Sequence, residues 1–114
     1  MTTTIRDTVT AEVTDDVPDT ATTLRALDPL SVAAGKHLDH LRVARVDWIR
    51  VTKVAEEAGE VVGALIKLQE GRAEFEDVRS ELGDVFLAAL AAADQLGLRP
   101  SDVVADRWKV VSTR

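Results

Sequence analysis

A chain of 114 residues has room for one domain with a modest core. Twenty acidic against fourteen basic residues leave a net charge of −6, which argues against a nucleic-acid binder working through a basic face; a nucleotide enzyme stays open, because a divalent cation can bridge acids to phosphates. Cysteine is absent, which excludes disulfides and thiolate metal sites and makes a cytoplasmic location the expectation, and the longest apolar run, Val85 to Ala93, is too short to cross a bilayer.

Residues 1–27 are rich in threonine and acid and read as a flexible tail. Ile5, Val9, Ala11 and Val13 leave a short strand-like arm open, ended by Pro18, and no basic stretch leads into an apolar run there, so no signal peptide is expected. From Asp28 the texture becomes helical. A first helix is predicted near Asp28-Pro29, with the acid as N-cap and an apolar stripe of Leu30, Ala33, Ala34, His37, Leu38 and Leu41. A second runs from Asp47 to Glu70, with Val51, Val54, Ala55, Ala58, Val61, Val62, Leu65 and Leu68 as its stripe and Gly71 just past its end. The break between the two is weakly marked.

The third helix spans Glu74 to Leu96 and closes on Gly97; its segment Val85 to Ala93 is apolar on every side and is expected to be buried all round. The fourth starts at Pro100-Ser101 and carries Val103, Val104, Trp108 and Val111, with Trp108 read as core. Four helices with short connections predict an all-α, four-helix bundle-like fold. No glycine-rich phosphate loop is present, so phosphate chemistry cannot rest on a P-loop.

Two acidic pairs stand out: Glu57 with Glu60 on the second helix, and Glu81 with Asp84 on the third. A spacing of three puts each pair on one helix face. In an antiparallel hairpin turning at Glu70-Gly71, Glu57 lies level with Asp84 and Glu60 level with Glu81, so all four converge. Like charges so placed call for a divalent cation or raised pKa values, and oxygen-only ligands favour Mg²⁺ or Mn²⁺. Asp84 also opens directly into the apolar run, where Ala88, Ala91 and Ala92 allow either close helix contact or space for a ligand. His37 and His40 do not form an ExxH arrangement with the acids and read as structural or exposed.

The combination KxxEExxE, from Lys53 to Glu60, followed by ExxD, from Glu81 to Asp84, resembles the MazG-type nucleotide pyrophosphohydrolases, over roughly Leu30 to Arg114. That resemblance implies an all-α domain over 28–114, assembled as a homodimer or dimer of dimers, that hydrolyses nucleoside triphosphates to monophosphate and pyrophosphate. It implies Glu57, Glu60, Glu81 and Asp84 as the Mg²⁺ ligands and Glu56 as the acid that orients or deprotonates the attacking water. Substrate contacts would come from Lys109, Arg114 and Lys53, the last of which could equally be an i,i+4 ion-pair partner of Glu57, and Trp48 would either stack on the base or serve ordinary packing. Ser112 stands where relatives often carry asparagine, so these contacts are expected to differ in detail. Nucleic acid and membrane are not expected partners. The competing readings are a non-catalytic helical interaction module and, within the same superfamily, a phosphoribosyl-ATP pyrophosphohydrolase.

Overall fold

The structure, a computed structural model, describes residues 20–114, all of whose regular elements are helices. They are a short α1 (Thr20–Leu24), then α2 (Leu27–His40), α3 (Asp47–Gln69), α4 (Phe75–Gln95) and α5 (Pro100–Val111). The fold is therefore all-α, with four long helices. The possible arm from Ile5 to Val13 lies outside the described residues, whereas α1 falls within the segment read as a tail and packs on α5. Among the described residues, no helix is long and apolar enough to cross a membrane.

Helix ends follow from local chemistry. Gly71 and Gly97 take φ of 75° and 70°, each closing its helix with paired backbone bonds: Arg72 N–H to Lys67 C=O, and Leu98 N–H to Ala93 C=O. The end of α2 has the same bonding, Val43 N–H to Leu38 C=O, but the left-handed residue is Arg42, at φ 62°. The break before α3 is faint in the sequence because a non-glycine residue makes that turn. Glu74 and Asp77 form a reciprocal capping box at the start of α4.

The start of α2 differs from expectation. Asp28 lies inside the helix, behind an Ala26 N-cap that makes no side-chain bond. Its carboxylate instead reaches across to α5, accepting from Ser101 N–H at 3.0 Å and Ser101 Oγ at 2.7 Å. It thus caps a helix more than seventy residues away in sequence.

The two helices α3 and α4 form a tight hairpin, and α2 packs its backbone across α4, whereas it reaches α3 through side chains. On α2 the buried face is Ser31 and Gly35, not the leucine stripe. Ser31 Oγ donates to Leu90 C=O at 2.6 Å, and Gly35 faces the Asp94 side chain so closely that a Cβ there would displace its carboxylate. Small residues let the two backbones approach, and the stripe from Leu30 to Leu41 is turned into the space between α2 and α3. The expectation for α4 also fails in the single chain: of the run from Val85 to Ala93, only Ala91 and Ala92 are buried, and Phe86 is 64% exposed. Trp108, read as core, is 41% exposed. Apolar periodicity marks faces that need cover, and one copy of this chain covers only part of them.

Candidate functional site

Glu57 and Glu60 stand one turn apart on α3, and Glu81 and Asp84 one turn apart on the facing α4. The hairpin brings carboxylate oxygens of Glu57, Glu81 and Asp84 within 4.8 Å of one another. Asp84 is exposed rather than sunk in the apolar run, and so is Glu60, which lies outside that cluster of three but near enough to act on both of its glutamate neighbours. Burial holds the Glu57 carboxyl above its ordinary pKa, and the charges of Glu60 and Asp84 push the same way against an opposing Lys53. Glu81 is raised first by a hydrogen bond shared with Glu60, then by burial, then by the charges of Glu60, Asp84 and Glu57.

One oxygen of Glu81, Oε2, is buried without a hydrogen-bond partner. A buried carboxylate oxygen left bare beside other acids is costly, and a hard cation relieves both the missing bond and the repulsion. The donor set, oxygen alone and several carboxylates, fits Mg²⁺.

Glu57 and Asp84 also line a cavity of about 480 Å³ between α2, α3 and α4. Lys53 and Arg50 stand on the α3 side of it. The α2 wall is the whole displaced stripe, Leu30, Ala33, Ala34, His37, Leu38 and Leu41, and the floor is Leu87, Ala88 and Ala91 on α4. Ala88 and Ala91 thus leave room, while Ala92 serves close packing. A pocket that is charged at one end and apolar at the other suits a ligand of the same character.

The remaining residues singled out in the sequence are more scattered. Glu56 is exposed and pairs with Lys53 at 3.8 Å, outside the cavity lining. Trp48 is 70% exposed in the first turn of α3, and Lys109 and Arg114 are exposed at the far end of the chain; none of the three lines this cavity. His37 and His40 are exposed and stacked on each other, with ring centroids 6.2 Å apart, and His37 also borders the cavity.

Sequence reasoning missed Arg50. Its side chain is fully buried, and Nε donates to Ala44 C=O, Nη1 to Gly35 C=O, and Nη2 to Val43 C=O and Asp39 Oδ1. The guanidinium gathers carbonyls of α2 and of the turn that follows it, together with the Asp39 carboxylate, and so ties α2 to α3 beside the cavity, which Arg50 itself lines. Arg45 completes the tie, reaching Asp39 at 2.7 Å and Asp94 at 3.3 Å. The available signal was an arginine four residues before Val54, in line with the apolar stripe of its helix.

Neither curated proteins nor solved structures gave a significant match to the chain. The MazG nucleotide pyrophosphohydrolase domain matches residues 50–113, from Arg50 through the acidic hairpin and along α5. The matched segment is more than half of the chain and holds all four acids, so the protein belongs to the MazG nucleotide pyrophosphohydrolase family.

Proposed function

We propose that this protein hydrolyses a nucleoside triphosphate to the monophosphate and pyrophosphate with the help of Mg²⁺, for which Mn²⁺ can substitute. The observation that carries this reading is the meeting of three carboxylate oxygens within 4.8 Å, two of them from residues, Glu57 and Asp84, that line a largely apolar cavity. Glu57, Glu60, Glu81 and Asp84 would hold the cation. A cation held by these carboxylates would supply charge neutralisation at the phosphate oxygens and a lowered pKa for the attacking water. The apolar walls from α2 and α4 receive the nucleoside, and Lys53 meets phosphate from the α3 side. Glu56, held near the cavity by Lys53, takes the proton of the water. Lys109, Arg114 and Trp48 can contribute only at a site shared between copies of the chain, which goes with a homodimer or dimer of dimers. A cytoplasmic setting, where nucleoside triphosphates are abundant, suits the same reading.

The test is a panel of nucleoside triphosphates incubated with Mg²⁺ and scored separately for pyrophosphate and orthophosphate. Pyrophosphate release is expected, and Asp84→Asn or Glu57→Gln should lower turnover and metal affinity together, on the order of a hundredfold or more, without loss of helix content. Release of orthophosphate, or an Asp84→Asn variant with full activity, would refute the assignment.

A further inference from the structure

The acids form a wall with a cleft on each side. Glu57 and Asp84 line the cavity described above, whereas Glu60 and Glu81 line a second cleft, of about 680 Å³, that runs toward the α3–α4 turn. Its other walls include Gly59, Gly63, Lys67, Arg72 and a third acid, Asp77, so the diphosphate would enter together with Mg²⁺. We propose that this second cleft receives the departing diphosphate, held by Lys67 and Arg72; the inference rests on the hydrolytic reading above.

Three observations support it. First, the second cleft has no large apolar side chain in its lining, so it offers a base nothing to pack on, whereas the first has a continuous apolar wall. Second, two cations stand in it: Lys67 has no ion-pair partner among the described residues, and Arg72 pairs only with the exposed Glu70. Glu60 and Lys67 are seven residues apart on α3, about 10 Å along the axis, a gap that an extended lysine and a diphosphate together can close. Third, Gly59 and Gly63 sit mid-helix, where each costs about 1 kcal/mol relative to alanine. A Cβ at either would meet nothing within 4 Å, so packing within the chain does not require them, and their effect is to keep the cleft floor open.

The chemistry asks for such a place. The water oxygen bonds to the α-phosphorus and gives its proton to a carboxylate of the site. On the opposite side, the bond from that phosphorus to the bridging oxygen breaks, and the oxygen leaves with its electron pair as part of the diphosphate. With the nucleoside in the first cleft, the second, which is lined by the other two of the same four acids, is the neighbouring space that can take the diphosphate.

The experiment is calorimetric titration of pyrophosphate, with Mg²⁺ present, into the full chain and its Lys67→Ala and Arg72→Ala variants, with the nucleoside monophosphate product titrated in parallel. Each variant should bind pyrophosphate roughly tenfold more weakly, as expected for loss of a charge-assisted hydrogen bond, with unchanged monophosphate affinity and melting temperature. If the parent releases pyrophosphate from triphosphates but both variants bind pyrophosphate as tightly as the parent, the cleft assignment is wrong and the hydrolytic reading stands. If the parent neither hydrolyses triphosphates nor binds pyrophosphate, both fall. A Gly63→Leu variant separates the remaining occupant: a changed sedimentation coefficient with pyrophosphate affinity intact would make the cleft an interface between copies and overturn the proposal.

Discussion

Asp28 and Asp39 accept hydrogen bonds from Ser101 and from Arg45 and Arg50, and these hold both carboxyls below their ordinary pKa of 3.8. Glu57 and Glu81 stand above theirs, 4.5, because burial, a hydrogen bond shared with Glu60 and neighbouring acids disfavour the charged form. The two sets act on stability with opposite signs. For the aspartates the folded chain holds fewer protons than the unfolded one, so their contribution is present above pH 3.8 and is lost as pH falls through the lowered values. For the glutamates the folded chain holds more protons, so their contribution is full below pH 4.5 and is lost as pH rises through the raised values. The metal-free protein should therefore melt highest in mild acid, and Mg²⁺ should restore the loss toward neutrality by binding the folded form. Melting temperature against pH, in chelator and in Mg²⁺, checks this. Glu81→Gln should flatten the metal-free decline, and a parent whose curve is already flat there would contradict the assigned repulsion.

At the scale of the element, three helices end in the same left-handed turn, but only two of them place glycine in it. Arg42 carries a Cβ into a conformation that costs an L-residue about 1–2 kcal/mol. It is exposed and outside the cavities, so Arg42→Gly should raise unfolding stability by about 1 kcal/mol, with part of the gain lost to the greater entropy of glycine in the unfolded chain. Urea unfolding measures this, and a destabilised variant would mean that the arginine side chain itself holds the turn. The α2–α4 contact shows the complementary use of small residues. At Gly35 a Cβ would meet a carboxylate oxygen of Asp94 at 1.9 Å, so here the glycine makes room for the Asp94 side chain in the place where it reaches Arg45.

For the molecule as a whole, the buried apolar residues of the described chain are three alanines, Ala64, Ala91 and Ala92. Meanwhile Val62, Leu65, Ile66, Leu82 and Phe86 on the hairpin are each more than 40% exposed. Burial of apolar area at about 25 cal/mol per Å² is the main force available to a small domain, and so much uncovered surface on two adjacent helices calls for a partner. Sedimentation at micromolar concentration should give a dimer or larger, and Phe86→Glu should shift it to monomer with a lower melting temperature. A parent that sediments as a monomer would remove the shared-site role suggested for Trp48, Lys109 and Arg114.

Local information in the sequence was sufficient for the four long helices though not for α1 or the start of α2, because apolar spacing of three and four, the glycines at 71 and 97 and the proline at 100 act within a few residues of themselves. It also put Glu57 with Glu60 and Glu81 with Asp84 on single helix faces, since that depends only on the pitch of a helix. What faces what was decided by packing. The preference of α4 for Ser31 and Gly35 over the leucines of α2 opened the cavity, and the reach of Asp28 to Ser101 linked two helices distant in the chain. The four acceptors that hold Arg50 in the interior lie only six to fifteen residues before it, but the turn between α2 and α3 is what brings them to one point. The cavity and the link from Asp28 to Ser101 depend on the complementarity of surfaces brought together from distant segments, which no window along the chain contains.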